Sequence, residues 1–189
     1  MTSRRPDEPV RWLVLLARLP NEPARHRMAV WRELRRAGAI LIGTSTWAMP
    51  DVPAGGPLLD RVRELTDRAG GSLVALGASG YAPRDAERLL QRYHDARRDE
   101  WTEFEADCDK YLEEIAKEQR IRKFTLGELE EEEQSLDRLR RWYRDLRRRD
   151  VLGTPGASSA AEQLKQCEAT FDSYAEQVYT AVGSPTTGD

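Results

Sequence analysis

The sequence predicts an α+β protein in which a ferredoxin-like βαββαβ sheet domain spans residues 11–82 and a long helical hairpin or three-helix bundle spans 83–182. Three observations carry this. Short apolar runs alternate with amphipathic helical stretches up to about residue 80. From residue 83 onward apolar residues recur every three or four positions for about a hundred residues, the period of a helix face. The charge also changes sign: residues 1–83 carry 12 arginines, no lysine and 8 acids, whereas residues 84–189 carry 18 basic residues against 25 acids. Residues 1–10 are expected to be a flexible N-terminus and 183–189 a disordered tail.

A chain of 189 residues can bury a core, and 33% charged with 39% hydrophobic residues suits long, exposed helices in a soluble protein. The longest early apolar run, WLVLLARLP, is broken by Arg18 and is far too short to span a bilayer. No membrane partner and a cytoplasmic location are therefore expected.

The elements follow in order. RWLVLLARL, residues 11–19, has too few polar breaks for a surface helix, and Pro20 closes it, as suits a buried strand. NEPARHRMAVWRELRRAG reads as an amphipathic helix, with Pro23 near its start, Met28, Trp31 and Leu34 on its core face, and Gly38 as its stop. AILIGTSTWAMP reads as two short strands or one bent strand around Gly43 to Ser45, where glycine supplies turn freedom; Trp47 and Met49 lie on or beside the sheet. After the loop PDVPAGGP, a second helix over about Leu58 to Ala69 turns Leu58, Leu59, Val62 and Leu65 to one side. Gly70-Gly71 ends it, and SLVALGASG is the last strand. The competing topology is an open β-α-β-α-β sheet.

Residues 84–120 place Leu89, Tyr93, Ala96, Phe104, Cys108, Tyr111, Leu112 and Ile115 at helical spacing, which predicts a helix of about ten turns. Thr125-Leu-Gly-Glu128 has the form of a capping box, so a new helix starts there. The acidic block Glu130 to Glu133 sits in its first turns and Arg147 to Arg149 in its last, both favoured by the helix dipole. A solvated first turn is the expectation for the acidic block, because adjacent helical residues point in different directions. The last helix carries Leu164, Cys167, Phe171, Tyr174, Val178 and Ala181 in a 3-4-3-4-3 alternation, the seam of a bundle or of a dimer.

Little in the chain supports catalysis. His26 and His94 lie on different predicted helices without a partner at metal-ligand spacing, and there is no nucleophile elbow, phosphate loop or dinucleotide fingerprint. Cys108 and Cys167 lack CxxC spacing and read as two small core residues. No catalytic residue, metal site or cofactor is expected, and the protein is not expected to be an enzyme. What remains is basic: Arg25, Arg27, Arg32, Arg35 and Arg36 on the first helix, with Arg18 at the end of the preceding strand. Arginine suits bidentate binding of phosphate or another oxyanion. A solvated helix face with no ligand stands beside that reading.

The string LPNEPARHRMAVWRELRRAGAILIGTSTWAMP resembles the opening domain of the ChrB family of chromate-resistance regulators, in its strand ending Leu-Pro, its arginine-rich helix containing Val-Trp-Arg-x-Leu, and its strand closing in Pro. KFTLGELEEEEQSLDRLRRWYRDLRRRDVLG is similar to the helical part of the same domain. The two blocks occur in the expected order, and the resemblance spans roughly residues 11–182. More remotely, the first block resembles the middle domain of PaaX-type repressors and the small ferredoxin-like CRISPR-associated nucleases. Those nucleases carry an acidic metal ligand where this chain has Arg18-Leu19-Pro20, which argues against nuclease activity.

The ChrB resemblance implies a DNA-binding repressor of a chromate-efflux operon that responds to chromate. DNA and chromate are then the expected partners, with a homodimer and a separate chain supplying the second domain into which family members continue. The alternative is a non-catalytic scaffold for dimerisation or protein interaction.

Overall fold

The structure, a computed structural model, describes residues 9–183, and most of both predicted terminal segments lies outside the described residues. It is an α+β fold of four strands and five α-helices. In chain order these are β1 (Trp12–Arg18), α1 (Ala24–Arg36), β2 (Ile40–Gly43), β3 (Thr46–Pro50), α2 (Gly56–Arg68), β4 (Ser72–Ala78), α3 (Pro83–Arg120), α4 (Leu126–Arg149) and α5 (Ala157–Gly183), with one 3-10 turn at Pro53–Gly55.

The chain divides into two compact units. One holds the residues through Arg97 together with Arg148–Leu152; the other holds Arg98–Arg147 and the residues from Gly153 on. The division expected at residue 82 therefore falls inside the first unit, for a reason visible in the packing.

In the sheet unit the strands lie in the order β2-β3-β1-β4, every neighbouring pair antiparallel. Alternation along each strand sends successive side chains to opposite faces. Leu15, Trp47 and Met49 turn to one face, where Val30 and Leu34 of α1 and Val62 of α2 close the core. Trp12, Ile40 and Ala48 turn to the other face and meet Tyr93, with Leu89, Leu90, Ala96 and Leu152 packed around them. The Trp12 and Tyr93 rings meet edge to face at 5.9 Å. The sheet needs this second apolar cover, so the first turns of α3 belong with it.

Two local expectations are corrected here. The glycine at the β2–β3 turn is not used for turn freedom: Gly43 is absent from the positive-φ residues, and the pairing slips between Leu41 and Gly43, so a bulge absorbs the irregularity. On α1, Met28 and Trp31 are exposed, at 50% and 40%, not buried. Both 28-31-34 and 30-34-37 satisfy a helical period, and the packing uses the second, with Val30 and Leu34 buried and Ala37 half-buried.

The helical unit is a three-helix bundle. Phe104 packs on Trp142, and Tyr111 donates a hydrogen bond to the Glu132 carbonyl, so α4 runs antiparallel to α3. Ser159 bonds Glu105 and Gln163 bonds Asp109, so α5 runs parallel to α3. Its core is Trp101, Phe104, Cys108, Ile115, Leu136, Leu146, Tyr174 and their neighbours. Both thiols are fully buried, and Cys167 Sγ donates to the Cys108 carbonyl at 3.7 Å. The hydrogen bond with Cys167, and then burial, hold the Cys108 thiol well above its ordinary range, as befits an unreactive core residue. The capping box forms by half: the Glu128 amide donates to Thr125 Oγ1 at 3.3 Å, but the Glu128 carboxylate pairs with Lys123 Nζ at 2.6 Å instead of reaching back.

The acidic block of α4 is also corrected. Glu132 is buried at 8% exposure, because Leu129, Glu132, Leu136 and Leu139 share the core-facing stripe. Burial, then the nearby Glu114 and Glu118 of α3 and Glu128 and Glu131 of α4, push its carboxyl from an ordinary 4.5 up to about 7. Between those values the folded state keeps a proton that the unfolded chain has lost, so stability falls as pH rises through the window. Glu132→Gln is expected to raise the urea-unfolding stability at pH 8 by about 1–3 kcal/mol and leave it nearly unchanged at pH 4. An equal effect at both pH values would contradict this.

Candidate nucleic-acid interface

α1 is set on the sheet by Val30, Leu34 and the buried Glu33, and this docking decides where its arginines point. At 100° per residue, Arg25, Arg32 and Arg36 fall within a stripe of about 40° on the side away from the core. All three are exposed. Glu33 Oε2 accepts from Arg36 Nη1 at 2.9 Å and steadies that end of the stripe. Arg25 and Arg32 make no ion pair among the described residues. From Arg25 to Arg36 the stripe rises about 16 Å, close to five base-pair steps of a duplex axis.

A second group lies beside the stripe. Arg35 sits over the Trp31 ring at 5.2 Å, a cation–π contact that keeps an aromatic plane at the surface. Trp31, Met28 and Arg27 border a hollow of about 420 Å³ whose floor includes Leu34 and Trp47 and whose rim carries Asn21, Thr44 and Ser45. Arg27 Nη1 reaches Asn21 Oδ1 at 3.4 Å. Arg18, exposed at the end of β1 and paired in register with Ser72, borders an adjoining hollow of about 530 Å³ with Asn21, Gly70 and Gly71. Leu19 and Asn21 line both hollows, so Arg18 and Arg27 flank one continuous depression.

The structure thus sorts the six arginines into an outer stripe (Arg25, Arg32, Arg36), a stacked pair with Trp31 (Arg35), and two that border the depression (Arg18, Arg27). Sequence reasoning misses Trp31 as a surface residue. Its position among arginines is legible, but its exposure depends on which of two helical periods meets the sheet.

The remaining predicted residues lie elsewhere. Leu164, Cys167, Tyr174 and Val178 are buried in the bundle, with half-buried Phe171 packed against them, so this seam has no face left for a second copy. Among the described residues, no three His, Cys, Asp or Glu side chains are placed to hold a metal ion, and no helix is long and apolar enough to cross a membrane.

A sheet unit bearing an arginine-faced helix, in one chain with a three-helix bundle, defines an α+β protein whose chemistry is anion contact at a surface. The family model described as Protein ChrB, N-terminal matches residues 27–185, most of the chain. The chain belongs to that family, one of chromate-resistance regulators. No curated protein and no solved structure matches it.

Proposed function

We propose that this protein is a ChrB-type transcriptional regulator that binds DNA through α1 as a homodimer and is released by chromate. The observation that carries the reading is the exposed stripe of Arg25, Arg32 and Arg36 beside the Arg35–Trp31 stack. Phosphate contacts made by such arginines position a protein on a duplex and supply salt-sensitive affinity. The family membership supports it. Chromate, a tetrahedral dianion, competes in this reading for Arg18 and Arg27 at the depression around Asn21, where guanidinium forks suit oxyanions. The strand order β2-β3-β1-β4, entered through two helix crossovers, supports the ferredoxin-like description of the sheet unit. The reading assigns no catalytic role and a cytoplasmic location, and leaves a second domain to a separate chain.

The test is binding to the gene's own upstream duplex and to an unrelated duplex, by fluorescence anisotropy across a salt series, with and without chromate. The wild-type protein is expected to prefer its own duplex and to lose affinity when chromate is added. Arg25→Glu/Arg32→Glu is expected to weaken binding at least about 100-fold and to lower the salt slope by about 2. Unchanged binding in a folded variant would overturn the assignment of α1.

The second reading, a non-catalytic interaction scaffold, is favoured by one observation: the β4 edge of the sheet is apolar and open. It expects self-association with no retention of either duplex at low salt.

A further inference from the structure

The sheet has two edges, and they are treated differently. β2 is four residues long and carries a bulge, and Arg92 Nη2 donates to its Leu41 carbonyl at 3.0 Å. Short length, a bulge and a covering charged side chain are the usual ways of blunting an edge strand. β4 has none of them. It is seven residues long, SLVALGA, with no charge and no proline, and among the described residues no hydrogen bond reaches its outer side. Val74 and Leu76 are 51% and 52% exposed on the face opposite α1 and α2. In register beside them on β1 lie Leu16, 42% exposed, and half-buried Val14, which completes a two-by-two apolar patch at the open edge.

We infer that β4 is the surface on which a second copy of this chain docks, edge to edge and antiparallel, about a two-fold axis through Ala75. Such an axis sets Val74 of each copy opposite Leu76 of the other and extends the two four-stranded sheets into one of eight. The occupant is argued from charge. A charge-free strand offers nothing by which to select a charged peptide, whereas against itself it meets no repulsion and buries no unpaired charge. Antiparallel pairing satisfies the open amides and carbonyls of both strands at once, and the isologous contact closes without leaving a further edge of the same kind. The seam residues of α5 are consumed inside the bundle, which leaves the sheet edge as the apolar surface for association. This inference deepens the homodimer part of the proposed function, and its test reads the interface separately from DNA binding.

The experiment is sedimentation velocity over roughly a thousand-fold range of concentration, with the protein free of DNA. The wild-type chain is expected to pass from monomer to dimer. Val74→Glu/Leu76→Glu, which sets carboxylates opposite one another at both positions, is expected to weaken association at least tenfold while circular dichroism and Tm stay those of wild type. Two single variants test the register. Val74→Lys and Leu76→Glu should each associate more weakly alone, and an equimolar mixture should recover dimer, because one Lys–Glu pair and one Leu–Val pair then face each other. A wild-type monomer at every concentration would overturn the inference. So would a double variant that still dimerises, or a mixture of folded single variants that gains nothing. DNA binding that persists through any of these outcomes would leave the α1 reading standing.

Discussion

Phe104→Ala is expected to lower the unfolding free energy by about 3–5 kcal/mol, the cost of deleting a fully buried ring whose site cannot collapse. Phe104 has no exposed surface and touches three aromatic neighbours in the bundle: Trp101 at 6.3 Å and 90°, Trp142 at 5.5 Å and 79°, and Tyr143 at 5.8 Å and 48°. Rings on three sides hold one another, so none can swing fully into the void. Against a total stability of about 5–15 kcal/mol, the loss is a large fraction. Urea unfolding followed by tryptophan fluorescence reads it directly, since Trp101 and Trp142 border the deleted ring. Phe104→Leu keeps most of the volume and should cost roughly half as much or less. A Phe104→Ala penalty under about 1 kcal/mol would show that the bundle core does not depend on this cluster.

Gly38→Ala is the second large effect, and its size separates backbone conformation from contact. Gly38 ends α1 at φ +78, and a Cβ there would stand 2.9 Å from the Arg149 carbonyl oxygen and 3.3 Å from its Cα. That carbonyl is held in place: the Tyr93 hydroxyl donates to it and accepts from the Val151 amide at 3.2 Å. A left-handed non-glycine residue costs about 1–2 kcal/mol, and forcing a methyl against anchored backbone adds about 1–3 kcal/mol. Gly70 provides the comparison, with φ +68 and open space for 4 Å around the point where a methyl would stand. Gly70→Ala should therefore show the conformational cost alone. Equal Tm losses in the two variants would mean that the Arg149 segment yields.

Much of the architecture is readable from periodicity and punctuation. The helix expected over 84–120 appears as Pro83–Arg120, the helix after Thr125 starts at Leu126, and the run SLVALGASG contains β4. Long stretches with one period, bounded by proline or glycine, leave few alternatives. The candidate interface is readable in part. All six arginines are visible as an anion-seeking set, but their sorting into stripe, stack and depression follows from the angle at which α1 docks. Trp31 shows the limit, since two stripes of the same helix are apolar enough to face the sheet.

By itself the sequence determined the class of elements, their order, the change from basic to acidic halves and the family, because these rest on local pattern and composition. Tertiary structure alone decided four things. The start of α3 covers the second face of the sheet through Tyr93. Glu132 is buried among other carboxylates. The α5 seam is spent inside its own bundle. β4, not β2, is the open edge. Each depends on which of several adequate apolar surfaces finds its partner first at close-packed density, a competition between distant parts of the chain that no local window of residues records.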